Sequence, residues 1–181
     1  MDATADSLIT AFDYVWARLA GRLTGLADEE YFWEPVAGCW SLRQGDDGKW
    51  HLDGGGGGGP APDPVPVTTI AWRIGHLGGM AVGGFANQRF GDGTLTTEQI
   101  VFPSHAADVR AFLDEHYQSW RTGLNGLNPT EWAAPLGPSW GPYAESNTLD
   151  LALHVLDEVI HHGAEVGLLR DLYSNRSSLR G

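Results

Sequence analysis

Between Leu151 and Tyr173 the chain reads LALHVLDEVIHHGAEVGLLRDLY, three histidines and four acids in what the periodicity predicts to be one amphipathic helix. Imidazole nitrogens and carboxylate oxygens suit zinc and similar divalent ions, and the same groups move protons. Wound at about 100° per residue, the segment puts Leu149, Leu153, Leu156, Val159, Ile160 and Val166 on a broad apolar sector. Leu151, Val155, His162 and Leu169 extend one flank of it, with Glu158 at the margin. Asp157 and His161 fall on the opposite side, and His154 and Glu165 lie between. His162 therefore points inward, while His161 and His154 point to the rim or to solvent. Residues four apart on a helix are neighbours, so Glu158 and His162 can reach one point. Spacing alone leaves two accounts open: half of a metal site, or a salt bridge around a hydrogen-bonded core histidine.

A second segment bears on that choice. In TTIAWRIGHLGGMAVGGFANQRF almost every face is apolar or glycine, with Arg73, His76 and Asn87 as interruptions. A histidine on such a helix is buried and needs a partner. Alone it reads as a satisfied core histidine. Joined to Glu158 and His162 from another helix, it completes a His/Glu/His set with open positions, as a catalytic rather than structural metal requires. Gly75, Gly78, Gly79, Gly83 and Gly84 allow close approach of another helix, at a cost in helix propensity. Arg73 and Arg170 suit either anion binding or structural pairing. His51, His105 and His116 read as surface residues. Cys39, in a Gly-Cys-Trp loop with no cationic neighbour or helix start, reads as a buried small residue rather than a reactive thiol.

The elements that must position these groups are four long helices. Their expected spans are about 4–26, 67–90, 105–127 (with Ser104 as cap) and 148–173 (with Ser146 or Asn147 as cap). Long connections join the first to the second and the third to the fourth. The WEPVAGCWSLR part of the first connection carries Trp33, Trp40 and Leu42, which are costly to leave in water; it is expected over one end of the helices, with a short strand pair nearby. The glycine- and proline-rich stretch at about 53–66 reads as a flexible tether. This makes residues 1–181 a single all-α domain, a four-helix bundle. The 42% hydrophobic content and eight tryptophans predict a folded core rather than disorder. A net charge of -12 argues against nucleic acid or an anionic membrane surface as partner. The lone cysteine, the acidic N-terminus without a signal-peptide core and the absence of a long apolar run predict a soluble cytoplasmic protein.

The pattern of a mid-chain histidine in IAWRIGHL and a last helix reading DEVIHHGAEVGLLRDL resembles the DinB-like superfamily. That superfamily includes bacillithiol S-transferases and mycothiol-dependent maleylpyruvate isomerases. Many members carry three histidine ligands, the last helix reading roughly His-x-x-x-His-Arg-Gly-Gln. Lined up without a gap, His76 matches the ligand of the second helix, Glu158 replaces the first of the last-helix pair and His162 matches the second. Gly163, Ala164 and Glu165 stand where Arg-Gly-Gln is usual. Glu in the first position is similar to the isomerase branch. A shifted alignment would use Asp157 and His161, which the helical wheel puts on the polar side.

The resemblance implies a divalent metal, zinc or nickel, held by His76, Glu158 and His162, and a thiol such as mycothiol bound at its open positions. In this reading the protein is a thiol-dependent S-transferase or isomerase of small molecules, with His161 and Glu165 assisting proton transfer and His154 and Arg73 contacting the cofactor. Homodimers are frequent in the family. Two other expectations compete: a metal-dependent hydrolase with Glu165 or His161 as base, and a non-catalytic bundle.

Overall fold

The computed structural model describes residues 3–57, 59, 60 and 62–178; Gly58 and Ala61 of the glycine- and proline-rich connection lie outside them. The chain is mostly helical, with seven α-helices and one small two-stranded sheet among the described residues. Helix α1 (Ala3–Arg22) buries Leu8, Phe12, Val15, Trp16 and Leu19, the three- and four-residue spacing of one helical stripe. A short α2 (Asp28–Tyr31) follows. Strands β1 (Leu42–Gln44) and β2 (Trp50–Leu52) then pair antiparallel, Leu42 opposite Leu52, and are the short pair expected in this connection. Next comes a rod made of α3 (Ile70–Ile74), a π-helical stretch (Gly75–Gly83) and α4 (Gly84–Phe90), with helical dihedrals at both junctions. Helix α5 (Val109–Asn125), the short α6 (Pro129–Ala133) and the long α7 (Thr148–Ser174) complete the chain. No helix among the described residues is long and apolar enough to cross a membrane.

The four long helical segments close a ring. α1 packs along α7, α7 along the α3–α4 rod, the rod along α5, and α5 returns to α1. Glycines set the approach of rod and α5: a Cβ on Gly78 would lie 2.5 Å from the Phe112 ring, closer than atoms pack. Where the rod widens into π-helical turns it is also lined with glycine, so its wide turns cost little side-chain crowding.

Helix starts follow local chemistry, with one correction. Asn147 caps α7 in a reciprocal box with Asp150, one of the two caps the sequence offered. Ser104 does not cap α5. A 3-10 turn (Ala106–Asp108) precedes that helix instead, and the Asp28 carboxylate takes the Ala106 N–H at 2.6 Å. The face of α7 also differs from the wheel. Leu153 and Ile160 are exposed at 51% and 40%, whereas Thr148, Leu151, Ala152, Val155, Val159, His162, Val166 and Leu169 are buried. Small residues such as Thr148 and Ala152 add little apolar area but let α7 sit close to its neighbours, which moves the buried stripe towards them.

His116 is not a surface residue. Its ring lies edge-on to Phe112, a Cβ on Gly83 would meet it at 2.5 Å, and burial pushes its pKa down. His51 and His105 are exposed, each beside an aspartate. Cys39 is buried, and burial pushes its thiol up, away from reactivity. Arg170 is structural, forked onto the buried Glu30 at 2.8 and 3.0 Å.

Asp13 on α1 joins that helix to α5, accepting from Tyr117 Oη at 2.6 Å and from two Arg121 nitrogens at 2.9 Å. The Arg121 hydrogen bonds hold its carboxyl below the ordinary value, against burial. A depressed carboxyl contributes stability that is present above its unfolded pKa, roughly 3.9, and is lost as pH falls through the folded value. The pair is half solvent-screened, so Asp13→Asn is expected to cost no more than about 1 kcal/mol near neutral pH. In urea unfolding, the gap between wild type and variant closes as pH drops below roughly 4. A gap that stays constant to pH ~2 contradicts this role.

Candidate metal centre

His76 sits in the first π-helical turn of the rod and faces Glu158 and His162 on α7. Its Nε2 lies 3.2 Å from Glu158 Oε2, and His162 Nε2 lies 3.1 Å from the same oxygen. One donor atom from each of the three residues falls within 4.8 Å of the others, a spacing that could hold a cation. The side chains are mostly covered, His162 at 10% exposure, His76 at 18% and Glu158 at 21%.

The outer edge of each imidazole is already committed. His76 Nδ1 donates to the Gly56 carbonyl at 2.7 Å, and His162 Nδ1 donates to Glu165 Oε2 at 2.6 Å. Arg73 Nη1 also approaches His162 Nδ1, at 3.4 Å, but the much shorter carboxylate contact places the proton on that nitrogen, so both Nε2 atoms turn toward Glu158 as lone pairs when the rings are neutral. Two lone pairs against a carboxylate repel unless positive charge lies between them. Either protons or a metal ion must supply it. In the proton-bound state, hydrogen bonds from His162 and His76 hold the Glu158 carboxyl far below the usual carboxylate range, outweighing burial. Burial would push His162 down, but the Glu158 and Glu165 carboxylates carry it above the ordinary histidine value.

The supporting shell is built from three directions. Glu165 pairs with Arg73, whose Nε approaches Oε2 to 2.9 Å as an ion pair, without the N–H aimed along the contact. Burial raises the Glu165 pKa, yet His162 and Arg73 keep it below the ordinary value. Trp72 stacks on His76 with ring centres 5.1 Å apart and donates its Nε1–H to the Asp53 carbonyl at 2.9 Å. Asp53 itself is held by the Ser41 N–H and by Arg43. The glycines that follow, Gly54 to Gly57, wind in the left-handed region with φ from 63° to 92°, which residues with a Cβ rarely adopt. That turn brings the Gly56 carbonyl onto His76. A Cβ on Gly57 would sit 3.2 Å from Trp72 and 3.4 Å from His76 Nδ1.

The site residues expected from the sequence thus fall into two groups. His76, Glu158 and His162 converge. Glu165 and Arg73 stand behind His162 rather than in the open, and both partners of Glu165 meet its Oε2. His154 and His161 lie on the rim, 54% and 63% exposed, with Nε2 3.9 Å from Glu158 Oε1 and 3.5 Å from Glu165 Oε1. His161, His162 and Glu165 also bring three donors together, but there Glu165 is shared with Arg73. Asp157 and His161, the pair of the shifted alignment, form no such cluster with His76. Sequence reasoning missed Gly56, because a backbone acceptor carries no side-chain signal; the run of glycines was its only trace. A cavity of about 310 Å³ opens over the cluster between Trp40, Trp72, Arg73 and Pro66.

Glu165→Gln keeps the shape of the side chain but weakens the acceptor behind His162. Competition against a zinc chelator is expected to show a loss of affinity of about 10–100-fold, together with a lower unfolding midpoint, because Arg73 loses its counter-ion. Unchanged zinc affinity would mean that Glu165 does not orient His162 for a metal.

Comparison with curated proteins gives no match, and comparison with solved structures gives none. The family model of the DinB superfamily, by contrast, matches residues 11–166, from near the middle of α1 to the second half of α7. The match takes in His76, Glu158, His162 and every group that supports them, and it covers most of the sequence: this chain belongs to the DinB superfamily.

Proposed function

We propose that the four long helical segments form a DinB-type four-helix bundle whose His76, Glu158 and His162 hold a divalent metal, zinc or nickel. The activity we assign is a thiol-dependent S-transferase or isomerase reaction on a small molecule. The observation that carries this reading is the convergence of His76 Nε2, His162 Nε2 and Glu158 Oε2, with both imidazoles locked from behind. Two nitrogens and one oxygen are a donor set that zinc and nickel accept, and three protein ligands leave room for a further one.

When bound, the metal supplies Lewis acidity that lowers the pKa of a thiol and keeps it as a thiolate. The chain does the rest. Gly56 and Glu165 orient the two imidazoles, and Arg73 keeps Glu165 anionic. Trp72 and Trp40 wall the cavity and limit water. His154 and His161, on the rim with exposed rings, are placed to exchange protons with solvent. The low-molecular-weight thiol, mycothiol or a similar compound, and a homodimeric cytoplasmic state belong to this reading through the family resemblance.

The hydrolase reading is weaker here, because Glu165 is occupied by His162 and Arg73 and leaves only His161 as a base. A purely structural cluster would have no use for the cavity above it.

A turnover assay separates these readings. Metal-loaded wild type is expected to accelerate conjugation of monobromobimane to mycothiol or N-acetylcysteine at least ~10-fold over the uncatalysed rate, a modest share of ordinary enzymatic acceleration. His162→Ala is expected at background. Equal rates with and without metal would sink the metal–thiol reading, and substrate loss that thiols fail to stimulate would favour hydrolysis.

A further inference from the structure

Beside the metal centre lies a second, larger cavity of about 580 Å³ that the proposed metal chemistry does not use. Its walls are Phe85 on α4, Leu136, Trp140 and Tyr143 of the loop between α6 and α7, and Leu151 on α7. We infer that this cavity binds the apolar, ring-bearing part of a substrate that is uncharged or cationic, and that it holds this part next to the Glu158 edge of the metal centre.

The wall is a built one. The loop from Leu136 to Ser146 is closed on itself by backbone hydrogen bonds, Leu136 N–H to the Ser146 carbonyl at 2.8 Å and Gly137 N–H to the Ala144 carbonyl at 3.0 Å. Within it Trp140 is only 8% exposed and stacks on Phe85, ring centres 6.1 Å apart and 20° from parallel. Phe85 in turn meets the His154 ring edge-on at 5.5 Å. Trp140, Phe85 and His154 therefore make a row of rings leading towards Glu158. Flat apolar walls of this kind favour a flat apolar guest. Tyr143 closes the outer side and is 66% exposed, an aromatic surface that water does not favour.

Charge narrows the ligand. Besides the Tyr143 hydroxyl and the Trp140 indole N–H, the polar side chains of the lining are Ser146, Asp150 and His154, and no lining residue among those described is Lys or Arg. The one fixed charge is the Asp150 carboxylate. Within the cavity lining, and with no metal bound at the neighbouring cluster, a carboxylate or phosphate on the guest would meet like charge without a counter-ion, in a protein of net charge -12. A neutral or ammonium-bearing ring escapes that penalty. Arg73, the cation of this region, lies on the other cavity and is already paired with Glu165.

Position links this cavity to the centre. Gly57 lines both cavities, and His154, which lines the larger one, lies 3.9 Å from Glu158 Oε1. A guest filling the aromatic cavity thus ends beside the metal donors. The inference extends the proposed function by naming its substrate class, but ring binding itself does not need the metal.

Isothermal titration with three probes that share one ring and differ in the charge of a small head group tests it: 2-naphthylmethanol, 2-naphthylmethylamine and 2-naphthoate. They are titrated into wild type with zinc, wild type after chelation, Phe85→Ala, Tyr143→Ala and His162→Ala. In the chelated wild type and in His162→Ala the alcohol and the amine are expected to bind at least tenfold more tightly than the carboxylate; zinc beside the cavity narrows that gap by attracting the carboxylate. Phe85→Ala and Tyr143→Ala are expected to weaken both at least fivefold; Tyr143 is exposed, so its variant keeps the fold even if Phe85→Ala does not. Carboxylate binding as tight as the alcohol in the chelated protein, no binding by any probe, or affinities indifferent to Tyr143→Ala would each overturn the inference. A protein that takes up no zinc yet keeps the naphthyl pattern would end the metal reading and leave the aromatic site standing.

Discussion

Three acceptor atoms facing one another are the constraint on which the site depends. His76 Nε2 and His162 Nε2 each lie little more than 3 Å from Glu158 Oε2, an arrangement that needs positive charge between them. What makes the arrangement persist is the far side of each ring. The Gly56 carbonyl and the Glu165 carboxylate take the Nδ1 protons, so turning either imidazole over would give up one of these hydrogen bonds. The rest of the fold holds those outer partners. Arg73 fixes Glu165, Trp72 fixes both His76 and the Asp53 carbonyl, and the backbone of Trp40 is stitched to Val67 and Thr69 at the start of the rod.

Glycine serves two purposes in this molecule. In the rod it thins the helix so that Phe112 of α5 and Leu52 of β2 can press against backbone, which draws the elements together around His76. Between Asp53 and Gly57 it allows a left-handed turn that no chain of ordinary residues would hold, and that turn delivers a carbonyl to the site. Both uses cost stability on their own, and the packing they permit offsets it.

The helices were legible because their apolar residues recur at helical spacing, and His76, Glu158 and His162 were legible because polar groups on buried faces demand partners. The supports were not. Glu165 read as a rim acid for proton transfer and Arg73 as a cation for the cofactor, since their pairing with each other depends on the register of two helices far apart in sequence. The glycine run carried only a compositional signal, and composition cannot separate a loose tether from a tight turn aimed at a histidine. The buried stripe of α7 was misplaced because Leu153 and Ile160 weigh heavily on a hydrophobic scale while Thr148 and Ala152 weigh little. Proximity to neighbouring helices decided the matter instead. The π-helical turns around His76 left no trace beyond the glycines themselves.

The central claim is that His76, Glu158 and His162 hold a metal ion, and its most direct test is elemental mass spectrometry of protein purified without an affinity tag. The account predicts close to one divalent ion per chain in the wild type and next to none in His76→Ala and in His162→Ala, with all three proteins folded. A folded wild type without metal, even after incubation with zinc or nickel, would contradict it, as would metal retained by both variants.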